Sequence, residues 1–115
     1  MTAQDSCIFC KIACGEIPAK KLYEDKWVYA IEDIKPAAPT HLLFIPKEHI
    51  ESVVHVEDQQ IMGRIFSAVS QVAKEKGFSN KGFRTVINTG EEGGQTVFHL
   101  HVHIMSGKRM SPAMT

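Results

Sequence analysis

The sequence predicts an α+β fold built on an antiparallel sheet. Three observations carry this reading. One stretch, Glu57 to Lys76, is long enough for a substantial helix and has apolar residues at helical spacing. The other apolar runs are short and bounded by turn residues, as strands are. Those runs do not alternate with helical segments, so the strand–helix–strand rhythm of a parallel sheet is missing.

Taken in order, Ile8 to Cys14 reads as a short helix, stopped by Gly15 and by Pro18 soon after. Leu22 to Glu24 and Trp27 to Ile31 read as strands of a tight hairpin with Asp25-Lys26 at the turn. Asp33 to Pro39 is a loop, punctuated by Pro36 and Pro39. His41 to Ile45 is short and apolar and should end as a strand before Pro46. In the long helix, Ile61, Ile65, Ala68, Val69, Val72 and Ala73 form one stripe, and Gly77 follows as a stop. Phe83 to Asn88 is a strand running into Thr89-Gly90. Glu91-Glu92-Gly93-Gly94 is a loop, and Val97 to Met105 is the last strand.

At 115 residues the chain reads as a single domain, 1–115, with one modest core. Its formal net charge is zero, so no electrostatic footprint for nucleic acid or an anionic membrane is present. No apolar run reaches transmembrane length, and Met1 to Ser6 lacks the basic and apolar regions of a signal peptide. A cytosolic location is expected. Cys7, Cys10 and Cys14 then read as thiols or metal ligands rather than as a disulfide framework.

The last strand carries His99-Leu100-His101-Val102-His103-Ile104-Met105. With a side-chain period of two, His99, His101 and His103 should share one face and Leu100, Val102 and Ile104 the other. Neighbouring imidazoles on such a face lie about 6–7 Å apart at the backbone, close enough to converge on a phosphate or a metal. Imidazole near neutral pH serves as nucleophile, acid, base or ligand. The Cys7-x-x-Cys10 pair supplies two thiolates to one zinc, or packs as two buried thiols on a short helix. Cys14 has no partner at metal spacing and is expected to pack; His55 is expected at the surface.

The histidine run resembles the signature of the histidine-triad family of nucleotide hydrolases and transferases. Further blocks resemble that family in order: Cys7-Ile8-Phe9-Cys10-Lys11-Ile12 with Gly15-Glu16-Ile17-Pro18, then Asp33-Ile34-Lys35-Pro36 with Pro39-Thr40-His41. Ile45-Pro46-Lys47-Glu48-His49 follows, and then Asn88-Thr89-Gly90 through Gly93-Gly94-Gln95-Thr96. The nearest branch is that of the nucleotide-binding proteins that act as purine nucleoside phosphoramidases. The resemblance implies the histidine-triad fold: a five-stranded antiparallel sheet with one long and one short helix, paired into a ten-stranded sheet across a homodimer.

It also implies a chemistry. His101 would be the covalent nucleophile, with its tautomer fixed by the backbone carbonyl of His99. His103 and His41 would bind phosphate oxygens, Asn88 and the Gln95/Thr96 turn would add neutral donors with Gly94 beside them, and the Thr96 hydroxyl would relay a proton to the leaving amine. Asp33 would accept the ribose hydroxyls. Ile8, Phe9, Ile12, Ile31, Ile34 and Leu43 would wall a nucleobase pocket or simply belong to the core. The expected ligands are purine nucleoside monophosphates and their phosphoramidate or acyl derivatives. Some relatives bind a structural zinc, for which Cys7, Cys10, His49 and His99 are the set here; the chemistry itself would need no cofactor. The segment after the triad departs from animal members, which carry a tryptophan there; Trp27 is this chain's only one. Two other readings stand beside the covalent one: a hydrolase with His99, His101 and His103 on a catalytic metal, and a nucleotide-binding regulatory dimer without catalysis.

Overall fold

A computed structural model describes residues 6–112. The signal-peptide reading rests on Met1 to Ser6, of which Met1 to Asp5 lie outside the described residues. The element order is α1 (Ile8–Ala13), β1 (Tyr23–Glu24), β2 (Val28–Glu32), β3 (Thr40–Pro46), α2 (Gln60–Glu75), β4 (Arg84–Val86) and β5 (Val102–Ser106), with a single 3₁₀ turn, Val53–His55, ahead of α2. The strands form one antiparallel sheet in the order β1-β2-β3-β5-β4. The expected architecture is therefore observed, with β3 and β5 adjacent at its centre.

Alternation along the strands sorts side chains between two apolar clusters. Val28 and Ala30 of β2, Leu42 and Phe44 of β3, and Val102 and Ile104 of β5 meet the α2 stripe. All six stripe residues, Ile61 to Ala73, are buried there, so they serve the subunit's own core. Tyr29, Ile31, Leu43 and Ile45 point the other way and pack with Phe9, Cys10 and Ile12 of α1. The buried Tyr29 hydroxyl donates to the Phe9 carbonyl at 2.7 Å and fastens α1 to the sheet. The helix covers only part of that face, and the remainder holds the histidines described below.

Element ends differ from the sequence reading for local reasons. The long helix begins at Gln60 rather than Glu57; its N-cap Gln59 makes no side-chain cap bond, and the Asp58 carboxylate accepts the Gln60 N–H at 3.0 Å in the turn that leads into it. Gly77 adopts φ +83°, the left-handed stop expected of it. In the hairpin, Asp25 caps the turn by accepting the N–H groups of both Trp27 and Val28, so β2 starts at Val28. Strand β3 continues through Pro46, which pairs with Val28 at the end of the ladder. Strand β4 is three residues instead of six, and β5 begins only at Val102. The chain bends over Val97 to His99, and Leu100 donates its N–H to Ile50 rather than to a strand. Cys14 is exposed at the end of α1, where its thiol donates to the Lys11 carbonyl, and does not pack. His55 is exposed as expected.

Candidate active site

Because extended backbone keeps its alternation beyond the ladder, Leu100, Val102 and Ile104 all enter the α2 core, while His101 and His103 face the α1 side. Their ring centroids lie 5.0 Å apart, and the Phe9 ring stands edge-on to His101 at 5.1 Å. The His101 Nδ1–H donates to the His99 carbonyl at 2.7 Å. That bond fixes one neutral tautomer and leaves the Nε2 lone pair free.

His41, on β3, is a diagonal cross-strand neighbour of His103: Leu43 opposes His103 directly, and His41 is two residues earlier. The Ala37 N–H donates to His41 Nδ1 at 2.9 Å, so the His41 proton sits on Nε2. That N–H reaches His103 Nδ1 at 2.9 Å. His103 therefore carries its own proton on Nε2. Burial above all, and then the facing rings of His101 and His41, draw its pKa down to about 4, with Asp33 opposing. Asp33 follows β2, its Oδ1 accepts the Lys35 N–H at 2.8 Å, and its Oδ2 lies 3.5 Å from His41 Nε2 and 3.9 Å from His103 Nδ1.

The His103 shift has a consequence for stability. An unfolded His103 takes a proton near pH 6.5, whereas the folded one resists until about 4. Between those values the unfolded chain binds more protons, so stability falls as pH drops, by at most about 1.4 kcal/mol per pH unit from this group. Above about pH 6.5 its contribution is complete and flat. Urea midpoints from pH 7 to 5 should fall less steeply in His103→Asn than in the parent.

His99 does not join the other two rings. It is fully buried, with Nε2–H donating to the Pro46 carbonyl at 2.8 Å and Nδ1 turned to Cys7 Sγ at 3.2 Å and Cys10 Sγ at 3.6 Å. Cys10 Sγ also meets His49 Nδ1 at 3.3 Å. These four ligand atoms lie within 4.8 Å of one another. A tetrahedral ion bound by two sulfurs and two nitrogens needs edges of about 3.3–3.8 Å, and the carbonyl behind His99 sets the ligand tautomer as an outer partner should. The cluster has the composition and spacing to hold a metal ion. Burial draws the His99 pKa down to about 4, so the ring is neutral, as a ligand must be. The arrangement with His99, His101 and His103 on one catalytic metal is not formed: the lone pair of His99 faces the thiols, and that of His103 accepts from His41.

The remaining expected residues separate into groups. Phe9, Ile12, Ile31 and Leu43 are buried together, whereas Ile8 is 47% and Ile34 93% exposed, so these two form no closed wall in the single chain. Asn88 donates from Nδ2 to the Gly93 carbonyl at 2.8 Å and ties down the loop before the triad. Gly93 is required there: a Cβ would lie 2.3 Å from the Thr89 carbonyl oxygen. The Gln95 amide is buried and wholly engaged, donating to the Glu51 and Val97 carbonyls and accepting from Gly90 N–H. Its side chain braces the loop and is not a free donor. Thr96 and Gly94 are exposed. Sequence reasoning missed Ala37 and Pro46, whose backbone groups set two histidine tautomers; backbone partners leave no compositional signal. A cleft of about 640 Å³, bordered by Trp27, Arg64 and Phe98, is lined by His49 but by none of His41, His99, His101 and His103.

Fold and site together define a single-sheet α+β protein whose central strands present paired imidazoles beside a carboxylate. The chain belongs to the HIT domain family, whose pattern matches residues 14–110. It is 53% identical over 103 residues to protein HitA of Neisseria gonorrhoeae, covering 88% of this chain and 95% of that one. It is 39% identical over 109 residues to the purine nucleoside phosphoramidase of Escherichia coli K12, covering 93% and 92%. A solved HIT family hydrolase from Clostridium thermocellum superposes with a TM-score of 0.93 at 45% identity, over 98% of this chain and all, 100%, of that one.

Proposed function

We propose that the protein hydrolyses purine nucleoside 5′-phosphoramidates, or acyl-nucleotides, at the α-phosphorus through a nucleotidyl-His101 intermediate, releasing the nucleoside monophosphate. The observation that carries this reading is the 2.7 Å bond from His101 Nδ1–H to the His99 carbonyl, which leaves Nε2 as a free lone pair on the open face. That nitrogen attacks phosphorus, and a P–N bond to His101 forms. The substrate's own P–N bond breaks, and its electron pair stays on the amine, which takes a proton through the Thr96 hydroxyl. Water then attacks phosphorus and gives one proton back to solvent through the same hydroxyl relay, while the P–N bond to His101 breaks and its electron pair returns to the nitrogen. His103 offers Nε2–H to a phosphate oxygen where charge develops. Asp33 takes the ribose hydroxyls, and the apolar residues beside α1 receive the base. The relative named purine nucleoside phosphoramidase supports the substrate class.

The cluster of Cys7, Cys10, His49 and His99 holds zinc in this reading, as a structural tie between α1 and the sheet. No helix among the described residues is long and apolar enough to cross a membrane, and cysteines outside any disulfide suit a cytoplasmic location. The active form is a homodimer. Among the described residues β4 stands at an edge of the sheet, and pairing with its twin would cover that edge and extend the sheet to ten strands. Sedimentation at micromolar concentration should give twice the chain mass; a monomer contradicts this.

The reading is tested by assaying nucleoside phosphoramidates against dinucleoside polyphosphates, with and without chelator, and trapping the intermediate by intact mass. Phosphoramidate turnover with a nucleotidyl adduct is expected. Tight nucleotide binding without turnover of any substrate would instead favour a binding protein. Asp33→Ala should weaken ribonucleotide binding at least about tenfold, because charge-assisted hydrogen bonds contribute about 1.5–3 kcal/mol each. It should barely change binding of 2′,3′-dideoxynucleotides. Equal losses for both would exclude the ribose contact.

A further inference from the structure

Asp33 faces two sets of donors from one position. Its Oδ1 is held by the Lys35 N–H, so Oδ2 is the oxygen turned toward the His41–His103 pair. The pair contains one shared proton between the rings, donated by His41 Nε2 to His103 Nδ1 over 2.9 Å. His41 cannot release that arrangement by switching tautomer, because the Ala37 N–H already occupies Nδ1. If His103 gains a proton, it gains it on Nδ1. Two N–H groups then point at each other across 2.9 Å, and one must turn to another acceptor. The acceptor within reach of both is Asp33 Oδ2, at 3.5 and 3.9 Å.

We propose that Asp33 is an exclusive acceptor with two states: with the nucleoside side empty and the His41–His103 pair protonated in acid, it takes an N–H of that pair, and with the nucleoside side filled it takes the ribose hydroxyls. Ribose binding and proton uptake by the pair are therefore mutually antagonistic. A carboxylate oxygen that receives hydroxyl donors loses negative potential toward the imidazoles, and the added proton on the pair loses its counter-charge. The filled site keeps His103 neutral, with Nε2–H as the donor presented to phosphate. Asp33 acts here as a positioning residue for His103, through protonation state. This rests on the ribose role given to Asp33 above and adds the linkage to it.

The groups that bear on the His103 ring are few. His41 faces it from β3, His101 from the lead-in to β5, and Asp33 from the loop after β2. The rings oppose a proton and Asp33 favours it, while burial opposes it most. Removing the carboxylate from play thus lowers the acceptance of a proton still further.

The experiment is a histidine side-chain NMR titration that follows the His103 ring nitrogens from pH 7 downward in three samples. These are the free protein and its complexes at saturation with adenosine monophosphate and with 2′,3′-dideoxyadenosine monophosphate. Both nucleotides bring the same phosphate, so its effect on the ring cancels between them. The diol-bearing complex should protonate at a pH at least about one unit lower than the dideoxy complex, a tenfold change in proton affinity. In free Asp33→Asn protein the midpoint should fall below that of the parent, and the difference between the two nucleotides should vanish. Matching midpoints in the two parental complexes, with the ribonucleotide binding more tightly, would overturn the linkage while leaving the ribose contact intact. Equal affinity of the two nucleotides would overturn the ribose contact itself, and the linkage with it.

Discussion

His101→Ala should lose turnover of a nucleoside phosphoramidate by at least about 10³-fold while still binding nucleoside monophosphate. The loss is large because both chemical steps pass through the same nitrogen. With the ring gone, water would have to displace the amine directly, and the remaining groups supply only charge stabilisation and position. Binding should survive because Asp33, His103 and the apolar residues beside α1 are untouched by the substitution. The tautomer geometry sharpens the expectation: the variant should also fail to give a nucleotidyl adduct under conditions that trap one on the parent. A variant that keeps more than a few per cent of parental turnover would remove the covalent route, whatever its affinity.

The second large effect concerns stability. Protein prepared without chelator should contain one zinc per chain, and stripping it should lower the melting temperature on the order of 10–20 °C, as a loss of about 3 kcal/mol would in a domain of this size. The four residues join parts of the chain that are far apart in sequence. Cys10 belongs to a helix of only six residues and Cys7 caps its start, His49 follows β3, and His99 lies just before β5. Without an ion, α1 is held by the small cluster of Phe9, Cys10 and Ile12 and by the Tyr29 bond to Phe9. The Cys7→Ser/Cys10→Ser variant should lose the metal and melt early, yet turn over substrate at low temperature. Elemental analysis finding no zinc in the parent would return both cysteines to the core. A stripped protein that is fully folded, inert and revived by zinc would contradict the structural role.

The features legible in the sequence were those governed by side-chain period. Leu100, Val102 and Ile104 enter the core, and the whole α2 stripe is buried, because alternation and helical spacing are properties of the local chain. The extent of β5 was not legible. A ladder needs a partner, and β4 offers only Arg84 to Val86, so His99, in a bend, and His101 lie outside it. All three histidines turn to the α1 side of the sheet, but the His99 ring is drawn into the thiol cluster there instead of standing beside His101. The pairing of His41 with His103 depends on register between strands far apart in sequence, and no spacing within either strand encodes it. Gln95 was read as a donor for phosphate, but its amide is consumed by three loop backbone groups that only the folded chain brings together.

The bond that orients His101 ends on a main-chain oxygen, and this bears on what mutation can reach. Every amino acid carries that oxygen. A substitution at position 99 would remove an imidazole from the thiol cluster but not the acceptor from His101. Lineages are thus free to abandon the cysteines and the ring of His99 without surrendering the nucleophile's tautomer, so long as the backbone path over Val97 to His101 is kept. The orientation of the nucleophile is inherited with the shape of the chain rather than with any one side chain, and genetic screens that exchange side chains would pass over its most direct determinant.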